Sequence, residues 1–293
     1  MVYHYPRAKG LITSCLLSVG QGDYERGYLL GEEALPLLRE KQEFNDLALG
    51  LYLRRITIAP EFNVDAYTRP LLEEALTYAR LGTDVWHCAF ILHGLGQCYI
   101  INDEPDLPRA ANYLTEGLQL VKQIGDRPVW TFILIQIANL KRHLGDYDMA
   151  SEILNEALKV ASESSFRESL TMCYSELGLL AIDQANNDLA RQWLTKSLSV
   201  PQELGSVGTE AKSLIGFARL FLASSELTKA GLLFGFTAKR RHATPSAPVT
   251  SREFNGYLNS LSALINPDEF SASLARGEAM SLKEAIALAL QGP

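Results

Sequence analysis

The sequence predicts an all-α protein: a right-handed superhelical solenoid of about six antiparallel helix pairs, closed by a C-terminal helical cap. Three observations carry that expectation. Small and large apolar residues recur at a spacing near 40, the recurring residues fall on single helical faces, and turn chemistry sits between those faces.

The first register is a glutamate followed by a small residue and leucine. It runs through Glu33-Ala34-Leu35, Glu74-Ala75-Leu76, Glu116-Gly117-Leu118 and Glu156-Ala157-Leu158, and continues more loosely as Lys196-Ser197-Leu198 and Phe236-Thr237-Ala238. The third residues are 41, 42, 40, 40 and 40 positions apart. A second register repeats Ala110, Ala150, Ala190 and Ala230, each followed four residues later by Leu114, Leu154, Leu194 or Phe234. A third links Leu134, Tyr174 and Leu214, and a fourth links Ala138, Gly178 and Ala218.

These positions read as helix pairs. Ala150, Leu154, Ala157 and Leu158 occupy i, i+4, i+7 and i+8, one face of a helix, and the alanines admit a closely packed neighbour. Leu134, Ile137, Ala138 and Lys141 form a similar stripe upstream. Between the two, Gly145 suits a helix C-terminus and Asp146 the next N-cap. Comparable turns fall at Gly22-Asp23-Tyr24, at Ala185-Asn186-Asn187-Asp188 and at Ser224-Ser225-Glu226, with a longer one at Asn102-Asp103-Glu104-Pro105-Asp106. Capping boxes are read at Ser165/Glu168, Thr250/Glu253 and Ser281/Glu284, and Asn266-Pro267 combines an N-cap with a first-turn proline. The expected organisation is six helix pairs in residues 1–242 and three capping helices in residues 243–293.

Composition narrows the function classes. With 47% hydrophobic and 21% charged residues, the chain has the balance of a folded protein. A net charge of −7 disfavours nucleic-acid binding, since phosphate contacts need a basic face, so direct nucleic-acid contact is not expected. The dense basic cluster Lys239-Arg240-Arg241-His242 falls at a helix end, where cations complement the dipole. Cys15, Cys88, Cys98 and Cys173 are scattered through apolar stretches without a C-x-x-C pair, as suits a reducing cytoplasm. Residues Met1 to Gly10 do not read as a secretory leader, and the most apolar window, Val129 to Leu140, is too short to span a bilayer. A cytoplasmic protein without membrane contact is expected.

Catalytic patterns are not found. The sequence contains no Gly-Lys dipeptide and hence no P-loop; Gly94-Leu95-Gly96 lacks the third glycine of a dinucleotide fingerprint and reads as close helix packing. His87, Cys88, His93 and Cys98 crowd one helix, but the six residues from His87 to His93 turn it through about 600°, so the rings diverge. No metal site and no cofactor are expected. The pairs Glu32-Glu33 and Glu73-Glu74 read as solvated outer faces rather than an acid–base couple. The chain is expected not to be an enzyme.

Two segments carry family resemblances. Leu95-Gly96-x-x-Tyr99 followed by Ala110, and Gly145-x-Tyr147-x-x-Ala150 followed by Leu154 and Ala157-Leu158, resemble the tetratricopeptide pattern. The period near 40 departs from that family's usual spacing of about 34, and longer helices account for it, as in the sensor domains of maltose-responsive and other LuxR-type activators. Phe217-Ala218-Arg219-Leu220, Gly231-Leu232-Leu233-Phe234-Gly235, the link Thr244-Pro245-Ser246-Ala247-Pro248, Phe270, Ala275-Arg276-Gly277 and Met280 to Ile286 follow in order. That order resembles the carboxyl-terminal end of large bacterial regulators built from a signal-transduction ATPase and a helical-repeat sensor arm. The chain lacks the nucleotide-binding core and the DNA reader of such regulators, so the resemblance implies the sensor arm alone or a shortened relative.

The tetratricopeptide resemblance further implies that the first helix of each pair lines a concave groove. It places Phe90, His93 and Gln97 there from the third pair, Phe132, Ile135, Asn139 and Arg142 from the fourth, Met172, Ser175 and Leu179 from the fifth, and Lys212 and Arg219 from the sixth. Asn139 and Arg142, neighbours at i and i+3, are read as a joint holder of a carboxylate or amide. Trp86, Trp130 and Trp193 read as core, with Trp130 the one nearest to exposure. The expected function is a non-enzymatic protein-interaction and signal-sensing module of a bacterial transcriptional regulator, bound to a protein or peptide partner and able to form a homo-oligomer. The alternative is a receptor for a small-molecule or peptide inducer.

Overall fold

Aspartate and asparagine recur just ahead of apolar stripes of helical period, and a helix begins at each. The side chains of Asp23, Asp84, Asp106, Asp146 and Asn186 each accept a hydrogen bond from a first-turn backbone N–H. A computed structural model describes residues 4–21, 23–57, 64–101, 104–164, 166–200, 207–241 and 251–291. Among the described residues there are fifteen α-helices and no strand. The chain is an all-α solenoid, as its periodicity predicts.

The described residues fall into two compact units, one up to Leu140 and one from Lys141 onward. The first holds α1 (His4–Gly20) with α2 (Tyr24–Lys41), α3 (Phe44–Thr57) with α4 (Val64–Leu81), α5 (Val85–Ile100) with α6 (Leu107–Ile124), and most of α7 (Arg127–His143). Each of the three pairs packs internally, and the first helices α1, α3 and α5 also touch one another in succession. Leu35, Leu38, Leu51, Leu72, Leu92 and Leu114 lie in its core.

The second unit contains α8 (Tyr147–Ser162), α9 (Arg167–Asp183) with α10 (Asn187–Ser199), and α11 (Val207–Ala223) with α12 (Leu227–Arg241). Three shorter helices follow: α13 (Ser251–Ser262), α14 (Pro267–Ala279) and α15 (Leu282–Leu290). Helix α14 lies along α12, while α15 touches both α11 and α12. The α12–α14 crossing is backbone-close: a Cβ at Gly277 would stand 2.1 Å from the Leu232 carbonyl oxygen, and one at Gly235 2.2 Å from that of Leu274. The capping box at Ser281 forms with Glu284, and Asn266 caps α14 ahead of Pro267.

In the pairs α5/α6 and α9/α10 the first helix is the more buried one. Ten residues of α5 are buried against four of α6, and ten of α9 against three of α10. On α8 the buried stripe is Ala150, Leu154, Ala157 and Ala161, so the predicted face holds while Leu158 is only half-buried.

The turns repeat as faithfully as the helices. Gly145, Ala185 and Ser225, 40 residues apart, all take the left-handed conformation, with φ of 76°, 57° and 61°. In each case the next backbone N–H reaches five residues back: Asp146 to Lys141, Asn186 to Ala181 and Glu226 to Phe221, at 3.0, 2.8 and 2.8 Å. This is the bond that satisfies the orphan carbonyls of a helix end. Helix α9 differs from expectation, starting after Phe166 with no side-chain cap. Ser165 and Thr250, expected caps, lie outside the described residues, as do positions 22, 102–103 and 244–248.

Candidate functional site

In the first unit, α3 and α5 lie side by side and bring an aromatic and a cationic group together. Trp86, Phe90, His93 and Gln97 occupy i, i+4, i+7 and i+11 of α5, a single stripe. The Phe90 ring stacks on Trp86 at 4.8 Å and tilts against Tyr52 of α3 at 4.4 Å. His93 continues the row, 6.2 Å from Phe90 and 5.6 Å from Phe132 of α7. One turn further, Gln97 Oε1 accepts a hydrogen bond from Arg55 Nη2 at 2.9 Å. Arg55 Nη1 reaches Tyr52 Oη at 3.4 Å and passes close to Gly94, where a Cβ would stand 3.6 Å from it.

Both Arg55 and His93 are buried, at 6% and 7% exposure. Neither ring nitrogen of His93 has a hydrogen-bond partner among the described residues. Burial, aided by the charge of Arg55, pulls the imidazole pKa down to about 3, so the ring is neutral across the physiological range. Three of the expected groove residues, Phe90, His93 and Gln97, thus share one face. Arg55 and Tyr52 of α3 complete the group and lie outside the set that the repeat pattern predicts.

In the second unit the expected residues are already engaged. Asp183 of α9 takes Arg219 of α11 at 2.7 Å and Arg142 at 3.6 Å. Arg219 also lies over the Tyr257 ring of α13, 5.0 Å from its centroid, and Lys212 pairs with the buried Glu176. Burial pushes the Tyr257 phenol above its ordinary pKa. The carboxylate that Arg142 holds is the chain's own. Ser175 is buried and donates to the Met172 carbonyl at 2.9 Å, so its hydroxyl is satisfied within its own helix. Asn139 is half-buried on α7.

Glu33, Glu74 and Glu116 of the repeat also have partners. Arg39 meets Glu74, and Arg80 meets Glu116, both at 2.8 Å and both between the second helices of successive pairs; Arg7 pairs with Glu33. Glu32 faces Arg54 at 3.0 Å, and Glu73 accepts from Tyr99 Oη at 2.8 Å. Trp130 is half-buried rather than exposed, with the Lys122 ammonium over its ring and its indole nitrogen shut from solvent. Among the described residues no group of three or more His, Cys, Asp or Glu side chains is placed to hold a metal ion, and no helix is long and apolar enough to cross a membrane.

The tetratricopeptide repeat family model matches residues 131–203, which cover most of α7 through α10. The fold is tetratricopeptide-like. No curated protein sequence matches the chain. Among solved structures, the crystal structure of BtubC (BKLC) from P. vanneervenii is similar at 18% identity and a TM-score of 0.45, covering 80% of this chain and 91% of that one. The family match indicates repeats of the kind that generally mediate protein interaction, and it points to no catalytic family.

Arg55 and Asp183, the two residues that organise these clusters, carry a signal in the sequence. Arg55 precedes Gln97 by 42 residues, and Asp183 follows Arg142 by 41, each one repeat away. A polar residue one period from a polar residue on an inner helix is a contact candidate, because first helices of successive pairs are neighbours.

Proposed function

We propose that this chain is a protein-interaction and signal-sensing module of a bacterial transcriptional regulator, and that it takes a protein or peptide partner on the face of its first helices. The observation that carries this reading is the row Trp86, Phe90, His93 and Gln97, an aromatic and polar stripe on an inner helix beside the buried cation Arg55. Aromatic and arginine side chains dominate binding energy at protein interfaces. The regulatory part of the reading rests on the order of motifs from Phe217 to Ile286, which resembles the end of sensor arms.

A second reading, an inducer receptor on the same face, is favoured by one specific observation. His93 and Arg55 offer donors that the protein itself does not engage with any carboxylate among the described residues.

The test is chemical crosslinking and recovery of the chain from its native cells, with Phe90→Ala as the comparison. A defined protein recovered with the natural sequence, reduced at least tenfold by Phe90→Ala in a variant that retains its helical circular dichroism, supports the interaction. Equal recovery by both chains refutes the assignment of this face.

A further inference from the structure

Every other buried or half-buried cation cited above has a carboxylate. Arg142 and Arg219 share Asp183, Lys212 has Glu176, and Arg54 has Glu32. Arg55 is more deeply buried than any of these, yet no carboxylate faces it among the described residues, and its neighbours are Tyr52, Gln97 and the Cys98 thiol. Removing an arginine from water without an anion is among the costliest arrangements a fold can hold. Such costs persist where a ligand removes them.

The neighbours of Arg55 are chosen in the same sense. His93 is neutral and unpartnered, with one ring N–H to donate. Gln97 gives its carbonyl to Arg55, leaving its NH2 group. Donors therefore converge from α3 and α5 with no carboxylate between them among the described residues, and the rings of Phe90 and Phe132 flank the imidazole at 6.2 and 5.6 Å. Flat walls and a planar guanidinium suit a planar anion with a flat apolar body. Burial of both His93 and Arg55 suits a small free acid.

We propose that Arg55, His93 and Gln97 form a binding site for a small planar carboxylate, with its carboxyl group on the Arg55 guanidinium and its body against Phe90 and Phe132. The guanidinium supplies a two-pronged contact, which a lysine ammonium does not reproduce. This inference rests on the reading of the first-helix face as a binding face, and it names the chemistry of what that face holds.

The experiment uses the full chain and sodium benzoate as probe, with acetate and chloride at equal ionic strength as controls. Thermal unfolding and the His93 ring resonances are followed together. Benzoate is expected to raise Tm in a saturable way and to shift the His93 ring signals, acetate to do so more weakly, and chloride not at all. Arg55→Met is expected to leave the ligand-free Tm unchanged or higher, because it removes a buried charge that no carboxylate among the described residues meets, and to weaken the benzoate response at least tenfold. Should that variant not fold, Arg55→Lys keeps the charge and is expected to weaken the response by a similar factor. Equal responses to benzoate and chloride overturn the site, as does a benzoate response that survives either substitution. A benzoate response lost in Arg55→Met while partner recovery persists separates the two readings: the acid site then stands apart from the partner surface. Partner recovery lost in Phe90→Ala with no benzoate response in the natural chain supports the interaction face and refutes the acid site.

Discussion

A Cβ placed on Gly96 would stand 2.4 Å from Leu114 Cδ2, and one on Gly178 would stand 2.6 Å from Leu194 Cδ2. The two contacts are one contact repeated: a small residue on the first helix receives the leucine of the second. Burying each leucine contributes about 1.5–3 kcal/mol, and at these two positions the leucine stands where a Cβ would be. Gly96→Ala is therefore expected to lower stability by about 1–2 kcal/mol, overpacking outweighing the gain in helix propensity. Gly10→Ala in α1, where nothing lies within 4 Å, is the control and is expected to raise stability by up to about 1 kcal/mol. Urea midpoints of the two variants should move in opposite directions; a shared direction contradicts the packing account.

That repeated contact explains what was legible in the sequence. The registers through Ala110, Leu114, Ala138 and Gly178 follow from a requirement every pair meets again, so periodicity exposes it. The glutamates at 33, 74 and 116 recur for a related reason, each meeting an arginine on a neighbouring helix. Polar partners on the inner helices were less visible. Arg142 reads naturally as a free cation on a groove, because nothing within its own helix neutralises it. Its carboxylate sits 41 residues away on α9, a pairing that depends on which helices touch. Ser175 reads as a groove hydroxyl for the same reason, though α9 is packed on both sides and leaves it 1% exposed.

The left-handed turn at Ala185 offers a gain rather than a loss. Gly145 holds that conformation without a Cβ, whereas Ala185 holds it at φ 57° against a steric cost of about 1–2 kcal/mol. Ala185→Gly removes that cost and returns part of it as extra freedom in the unfolded chain. The expected net effect is a stabilisation of about 0.5–1 kcal/mol, read as a rise in Tm. A drop in Tm would show that the alanine methyl makes a contact outweighing the strain.

His93 sets a pH dependence whose sign follows from its pKa near 3 in the folded protein, against 6.5 for the free group. Above about pH 6.5 the ring is neutral in both states and contributes no slope. As the pH falls through the window from about 6.5 towards 3, the unfolded chain binds a proton that the folded chain refuses, so stability declines. His93→Phe removes this contribution and fits between the rings of Phe90 and Phe132. Plots of Tm against pH are expected to fall more steeply for the natural chain than for His93→Phe between pH 6.5 and 4. Parallel curves over that interval rule out a buried neutral imidazole.

Asp183 joins two arginines whose side chains are each 15% exposed, and its own is 21% exposed. Asp183→Asn keeps the shape and one acceptor oxygen but takes from both guanidinium groups the carboxylate they share in a mostly dry site, with Glu176 and Glu253 still acting on Arg142 from further off. Breaking a buried pair from one side costs about 3–5 kcal/mol, and the residual exposure here places the effect at the lower end, about 3 kcal/mol. Adding Arg142→Met removes one of the stranded charges, and the double variant is expected to regain part of the lost stability. Arg219→Ala on the same background is expected to regain less, because it also deletes the contact with the Tyr257 ring that ties α11 to α13. Denaturant melts of the single and double variants measure both differences. Additive losses in place of partial recovery would mean that Asp183 acts through its shape and hydrogen bonds rather than its charge.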